Sequence, residues 1–345
     1  MKIVQISPFF YPVKGGVEEH VLQISKELVK RNHSIIVLTS DSSRNGKIKK
    51  KFEIIEKIPV YRFSTLFSLG DFGKIWPGFI TKLLKERYDI VHVHNYRHFH
   101  TLLAAIICKL RGMPCILTTH SPFHPLHIRK FLSRAFVIFY DFFLSRIFDN
   151  LFSKIILVND QELLYFPHIR KNKLIVIPNG IRKEYFKRFN KKILQKVKDK
   201  FGIRKNDKVI LFVGRIHPTK GIKFLMDAFY SLSIHYRNIK LVIVGPVQDE
   251  DYFLKLKTFA EQNLKEKIIF TGVVNEEDKI ALYDISTIFV LPSIYEPFGI
   301  VILEAFARGK PVIAVDSDGS RFLIKNGENG FLVKYGDIKS LANYI

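Results

Sequence analysis

Cysteine is scarce in this chain, with only Cys108 and Cys115 among 345 residues. Two thiols supply neither a disulfide framework nor a zinc ribbon. Long apolar runs are also missing. No stretch reaches the roughly 18 residues of a membrane-spanning helix. The opening MKIVQISPFF enters a strand at once, without the apolar core and small-residue cleavage site of a signal peptide. A cytoplasmic protein is expected, soluble or peripheral on the inner face of a membrane. Acidic side chains are outnumbered, 32 against 55 basic, for a net charge of +23. That balance favours anionic partners: phosphorylated ligands, an acidic membrane surface or nucleic acid. No RNA- or DNA-binding module is legible and the basic residues are spread, so no nucleic-acid partner is expected.

What is present describes a globular chain. Hydrophobic residues make up 47% and charged residues 25%, and the length suffices for two domains with full cores. Phenylalanine is abundant, at 31 residues. With excess lysine this suits a protein resting on lipid, and it equally suits an A/T-biased genome.

In chain order, Lys2 to Ser7 reads as a strand, Gly15-Gly16 as a loop, Glu18 to Lys30 as a helix and Ser34 to Ser40 as a second strand. This β–Gly loop–α–β order is a doubly wound beginning. The Gly-Gly pair permits close approach of backbone to a ligand but is not a G-x-G-x-x-G fingerprint. Asp41 to Lys51 reads as a mobile polar loop, and Phe63 to Arg87 as a mixed aromatic and basic stretch. The strands Asp89 to His94 and Pro114 to Thr119 end in His92, His94 and His120, with a crossover helix at Leu102 to Leu110 between them. Ligands of doubly wound sheets sit at the carboxyl ends of strands, which makes His94 and His120 site candidates. His98, His100, His124 and His127 also fall near strand ends. A metal site among them is the alternative, with no H-E-x-x-H or regular ligand spacing behind it, and no metal is expected.

Ile128 to Phe152 is aromatic-rich, with a narrow polar stripe at helical spacing. It is expected to be a largely buried helix; a membrane-contacting face of Phe and Arg is the alternative. Lys154 to Val158 and Leu174 to Pro178 read as strands, and Asn179-Gly180 as a turn. An N-terminal domain is thus expected over 1–181, a Lys- and Arg-dense linker over 182–205, and a second doubly wound domain over 206–345.

Within that second domain, features cluster at strand-to-helix turns. Arg215 and Lys220 share a glycine-bounded loop before the helix at Ile222 to Ser233. Two cations so spaced can neutralise a diphosphate, Arg by a forked contact and Lys as a point charge. Gly272 ends another strand. The stretch from Ser293 to Gly319 reads as loop, helix from Gly299, stop at Gly309-Lys310-Pro311 and buried strand from Val312. At about 1.5 Å per residue, Glu304 lies some 7–8 Å along the helix from Gly299. Glu296 and Glu304 can therefore face one ligand at a helix start whose free N–H groups suit phosphate. Together these features read as a site for a nucleoside diphosphate carrying a polyhydroxylated group.

At this point the chain resembles the retaining GT-B glycosyltransferases of family 4. The matching pieces are Gly15-Gly16 with Glu18 and His20; His120; Ile177 to Ile181; Val213-Gly214-Arg215 with Lys220-Gly221; Phe270-Thr271-Gly272; Glu296-Pro297-Phe298-Gly299 with Glu304-Ala305; Gly309 to Val312; and Gly327 to Gly330. The resemblance implies two Rossmann-like domains facing a cleft and a nucleotide-sugar donor, UDP- or GDP-linked, on the C-terminal domain. Arg215 and Lys220 would hold the diphosphate, Glu304 the ribose and Glu296 the sugar hydroxyls. Backbone N–H groups at Phe298, Gly299 and Ile300 would assist, with Val301 near the phosphates and Val273 near the base. Gly15 and Gly16 would approach the phosphates from the N-terminal domain, and His120 would contact the sugar on the acceptor side. The acceptor would be a hydroxyl, lipid-linked or in a polysaccharide glycan. No cofactor and no metal are implied, because Arg and Lys take the metal's place. Asp316-Ser317-Asp318 is accordingly read as a loop and not as a metal motif. The resemblance also implies C-terminal helices beyond residue 345. A UDP-sugar epimerase of the same architecture is the alternative enzyme.

Overall fold

The computed structural model describes residues 1–13, 15–43, 46–69, 73–120 and 131–345. It divides into two compact units, Met1–Asn179 and Gly180–Ile345.

The first unit is built on an eight-stranded sheet. Across the sheet the strands run Leu174–Val176, Lys154–Leu157, Cys115–Thr118, Ile90–His94, Lys2–Ser7, Ser34–Ser40, Ile58–Phe63 and Phe52–Ile55. All neighbours pair in parallel except the last two, which form an antiparallel edge. Parallel strands need cover on both faces, and they read as near-continuous apolar runs for that reason. One face packs Val4, Ile6, Val91, Val93 and Leu117 beneath the helix Phe99–Arg111. The other packs Ile3, Ile35, Val37 and Val60 beneath Val21 and Leu22 of the helix Gly16–Lys30.

Two expectations change here. The segment 41–51 is not simply a loop: Ser42–Ser43 pairs with Gly46–Lys47 in a short antiparallel ladder, and the edge strand follows directly. The aromatic stretch is not a largely buried helix. It runs as an α-helix over Phe131–Phe139, a π-helical turn over Tyr140–Leu144, an α-turn over Ser145–Phe148 and a 3-10 turn over Asp149–Leu151. Val137, Tyr140, Ser145 and Asp149 are buried, whereas Ile138, Phe139, Phe142, Phe143 and Ile147 are exposed. Two acids along the helix are held by polar contacts. Arg97 holds the Asp141 carboxylate through Nε and Nη2 at 2.7 and 2.6 Å. Asp149 accepts from the Tyr96 hydroxyl at 2.8 Å.

The second unit carries a six-stranded, wholly parallel sheet. Its order is Ile268–Gly272, Ile239–Val244, Lys208–Val213, Ile288–Leu291, Val312–Val315 and Phe331–Val333. The helices Ile222–His235, Glu250–Asn263, Glu276–Ile285 and Ile300–Ala307 fill the crossovers. Asp316-Ser317-Asp318 is a loop only at its first two residues. Asp318 opens the short helix Asp318–Leu323, and both acids face Arg321, at 2.9 and 3.7 Å.

The segment expected to link the domains belongs to this unit instead. It forms a 3-10 turn over Lys183–Phe186 and the helix Lys191–Lys200, capped by Asn190 Oδ1 accepting from Ile193 N at 2.9 Å. Tyr185, Val197 and Ile203 are buried in the unit's core. Arg308 clamps the segment in place. Its Nη1 donates to the carbonyls of Tyr185 and Lys187, at 2.7 and 2.6 Å. Its Nε and Nη2 fork onto Asp284, at 2.8 and 2.5 Å. Charge-assisted hydrogen bonds of this kind contribute about 1.5–3 kcal/mol each, and removing the cation strands a largely buried Asp284. Arg308→Ala is therefore expected to lower the unit's stability by about 3 kcal/mol and to speed proteolysis between residues 182 and 190. Urea denaturation with limited trypsin digestion checks this, and an unchanged cleavage rate there contradicts the clamp.

Candidate functional site

The C-terminal unit gathers its polar residues where strands give way to helices. Lys208–Val213 runs into the loop bearing Arg215 and Lys220, and Ile288–Leu291 runs into the loop bearing Glu296. The two loops are stitched together by backbone. Ile294 N donates to Thr219 O at 3.0 Å. Gly221, at φ 64°, opens the helix after the first loop, and a Cβ there would meet Pro292 O at 2.0 Å. Only glycine permits that approach.

The consequence is a contact between residues distant in sequence. Lys220 Nζ lies 2.7 Å from Glu296 Oε2, with side-chain exposures of 15% and 13%. The residue assigned to phosphate and the residue assigned to sugar thus form one largely buried ion pair. Arg215 Nη1 donates to Gln248 Oε1. Gln248 escaped the sequence reading, since a lone glutamine in a loop carries no signal.

Beyond Glu296 the chain turns through Phe298, which is buried and faces Phe322 at 5.9 Å between centroids. Gly299 sits at φ 85° and begins Ile300–Ala307, with no side chain capping the first turn. A second close approach holds this turn. Gly319 N donates to Glu296 O at 3.0 Å, and a Cβ on Gly319 would meet Glu296 O at 2.4 Å and Phe298 N at 2.5 Å. Gly319 was legible only as the end of the stretch; its packing role required the fold.

Glu304 is anchored. Its Oε2 accepts from the Tyr283 hydroxyl at 2.9 Å and its Oε1 lies 3.2 Å from Lys279 Nζ. Tyr283 also donates to Val301 O at 3.3 Å. Burial, reinforced by the Glu304 charge, holds the Tyr283 hydroxyl well above its usual range, so it stays a donor. Neither Tyr283 nor Lys279 was picked out from sequence. Val273 follows Gly272 (φ 67°) and is exposed.

In the N-terminal unit Gly15 is extended, at φ −172°, and caps the helix that Gly16 begins. That helix carries His20 toward the ends of the central strands. His94 and His120 finish adjacent strands, and the three rings cluster, with centroids 4.9–5.9 Å apart. His94 Nε2–H donates to Gln5 Oε1 at 2.7 Å, which turns the His94 Nδ1 lone pair toward His120 Nε2–H, at 3.0 Å. His120 sits at φ 53°, a left-handed conformation that costs a non-glycine residue about 1–3 kcal/mol. His92 contacts the Thr118 hydroxyl at 2.7 Å, and His100 Nε2–H donates to His94 O at 2.9 Å. His98 is buried at the start of the helix Phe99–Arg111. His124 and His127 lie outside the described residues. Of these rings, sequence reading missed the part played by His20, which reaches the cluster only through the helix register.

Burial lowers every ring in this set. His20 and His100 fall to about 4 and His92 to about 3, and His94, His98 and His120 fall well below the usual value. Neighbouring histidines add to the shift at His92, His94, His98 and His120, while Asn179 opposes it at His20. The unfolded chain takes up these protons near pH 6.5 and the folded one does not, so the linked stability is present above pH 6.5. It is lost as the pH falls toward the folded values. His20 alone represents about 3 kcal/mol by this linkage. The metal-free protein is expected to lose stability steadily between pH 6.5 and 4, measured as urea midpoints; a flat profile would exclude neutral buried rings.

Two doubly wound sheets in series, with polar residues at the carboxyl ends of the strands, give the two Rossmann-like domains of the GT-B architecture. Comparison with known proteins narrows the class. The family model described as glycosyl transferases group 1 matches residues 195–345, and that of glycosyltransferase family 4 matches residues 14–185. The chain belongs to glycosyltransferase family 4. It is 26% identical to a phosphatidyl-myo-inositol mannosyltransferase of Mycobacterium leprae, over 99% of this chain and 86% of that one. It is 31% identical to an Escherichia coli UDP-Gal:alpha-D-GlcNAc-diphosphoundecaprenol alpha-1,3-galactosyltransferase, over 76% of this chain and 66% of the relative. Among solved structures, Anabaena HepE in complex with UDP and glucose has a TM-score of 0.78 at 24% identity, covering 99% of this chain and 88% of that chain.

Proposed function

We propose that this glycosyltransferase moves a hexose from a UDP- or GDP-sugar to a hydroxyl acceptor with retention at the anomeric carbon, and that it does so without a metal. The observation that carries this reading is the stitched pair of loops, which joins Lys220 to Glu296 just before the helix start at Gly299, with Arg215 on the same loop as Lys220. Breaking the bond between the anomeric carbon and the diphosphate oxygen leaves negative charge on phosphate. Fixed cations and helix N–H groups stabilise such charge at the moment it develops. Lys220 has three N–H donors; Glu296 takes one, and two remain for phosphate oxygens. Arg215 adds a forked contact. The same ion pair makes Glu296 a poor nucleophile and a good acceptor for sugar hydroxyls. The acceptor hydroxyl then attacks on the face the diphosphate leaves and passes its proton to the departing phosphate oxygen. Glu304 takes the ribose, Phe298 to Val301 lie along the phosphates and sugar, and Val273 lies at the base. On the N-terminal unit His120, Gly15 and Gly16 serve the sugar and phosphate side.

A lipid-linked acceptor fits the names of the Mycobacterium and Escherichia relatives. It also fits the exposed face of the aromatic helix. Ile138, Phe139, Phe142, Phe143 and Ile147 face solvent beside the exposed Arg134 and Arg146, while Asp141 is neutralised by Arg97. Arg146 stacks over the Phe142 ring at 5.2 Å. An apolar face rimmed by cations suits peripheral attachment to an anionic bilayer.

Labelled UDP- and GDP-hexoses, screened by thermal shift and then by transfer, test the reaction. One donor is expected to raise the melting temperature and to be consumed. Lys220→Ala is expected to lower kcat about 10²–10³-fold. Absence of binding, hydrolysis and transfer with every donor would sink the proposal, and inversion of the substrate's own sugar without transfer would favour the epimerase. For attachment, the chain is expected to float with anionic vesicles, and Phe139→Ser with Phe143→Ser to abolish flotation. Equal recovery with neutral and anionic vesicles would rule it out.

A further inference from the structure

The three clustered rings at the strand ends of the N-terminal unit have a geometry that hydrogen bonding alone does not use up. One ring nitrogen from each of His20, His94 and His120 lies within 4.8 Å of the other two. Tetrahedral zinc, at about 2.0–2.1 Å from each nitrogen, holds its ligands roughly 3.3 Å apart. The pair His94 Nδ1 and His120 Nε2 already stands at 3.0 Å, and zinc would take the place of the proton between them, with neutral His120 keeping its ring proton on Nδ1. His20 supplies the third nitrogen, within 4.8 Å of the other two, and its ring also meets Asn179. Its Nε2 is buried and has no hydrogen-bond partner. An unpaired buried nitrogen is costly, and a metal would satisfy it.

The surroundings are those of a ligand set. The Nε2–H of His94 donates to Gln5 Oε1 at 2.7 Å, so its Nδ1 lone pair points into the cluster. Metal-bound imidazoles carry this kind of outer partner, which fixes the tautomer and strengthens the donor. His20 and His120 are only half-buried, so the rings are not sealed away as His94 is. The cluster sits at strand ends, where this fold keeps its ligands. Three neutral imidazoles without thiolate or carboxylate suit Zn²⁺ rather than Mg²⁺ or Ca²⁺.

We infer that His20, His94 and His120 form a three-imidazole Zn²⁺ site, supported from behind by Gln5, and that zinc held there inhibits the enzyme by engaging His120. The metal takes no part in catalysis. The binding half stands on the cluster alone; the inhibition half rests on the proposed role of His120 on the sugar side.

The experiment uses the full chain without a polyhistidine tag, dialysed against chelator. Competition with a chromogenic chelator is expected to give one tight Zn²⁺ per chain, and Co²⁺ to give the intense visible absorption of a tetrahedral site. Gln5→Ala, which keeps all three ligands, is expected to weaken binding about 10–100-fold. His94→Ala is expected to abolish the Co²⁺ spectrum, and His235→Ala, in the other unit, to leave it intact. Zn²⁺ is expected to stop sugar transfer, and chelator to restore it. The site is overturned if wild-type protein gives no tetrahedral Co²⁺ spectrum, or if Gln5→Ala and His94→Ala bind zinc as wild type does. Those results with transfer intact would leave the enzymatic reading standing. Tight zinc binding with unimpaired transfer would uphold the site and overturn the inhibition, together with the role of His120.

Discussion

A parallel strand covered on both faces admits a polar side chain along its length only where a partner satisfies it, as His94 does for Gln5, and otherwise keeps polar groups to its ends. That constraint organises both halves of this protein. The apolar runs IVQIS, IIVLTS and IVHVH in the first unit, and VILFV and LVIV in the second, commit their residues to two packed faces. Chemistry is expelled to the carboxyl ends, where the chain turns into the next helix. His94 and His120 are neighbours because their strands pair in register, Thr118 beside His94. Lys220 meets Glu296 because the strands before their loops also pair side by side, Ile210 with Ile288.

Glycine makes those loop ends compatible. Gly221 against Pro292 and Gly319 against Glu296 are approaches that any side chain would block. They place the two loops within reach of one ion pair and leave the helix start at Gly299 free of a side-chain cap. The anchoring of Glu304 by Tyr283 and Lys279 has a similar effect. Its carboxylate keeps one orientation instead of sampling several, which is the preorganisation a donor site requires.

The aromatic helix shows how far a periodicity argument reaches. A narrow polar stripe at helical spacing is legible, and it suggests a largely buried helix. The fold instead leaves much of the aromatic face exposed. Ser145 and Asp149 turn inward, Asp149 to Tyr96 and His168, while Asp141 stays exposed on the Arg97 guanidinium and several phenylalanines point outward. Periodicity gives a helix two faces without saying which one meets protein. That is settled by the partners, and Arg97 and Tyr96 come from a strand-to-helix turn some 45 residues earlier. The linker expected over 182–205 gives way to a packed segment for a related reason. A Lys-rich segment looks like a linker until Tyr185, Val197 and Ile203 are found in the core and Arg308 is found holding the segment's carbonyls.

The sequence by itself determined the doubly wound architecture of both units, the strands and most helices to within a few residues, and the family. These follow from local information: buried strands read as short apolar runs, and turns read as Gly and Pro at fixed offsets. It also named Arg215, Lys220, Glu296, Glu304 and His120, because each sits in a short motif at a strand end or in the helix that follows one. Only the tertiary structure decided how those residues meet. The Lys220–Glu296 pair, the hold of Tyr283 and Lys279 on Glu304, the contact of Gln248 with Arg215 and the convergence of His20 on His94 and His120 each join separate elements. Strand order, helix register and backbone approach set such distances, and none of these is written in a local run of residues.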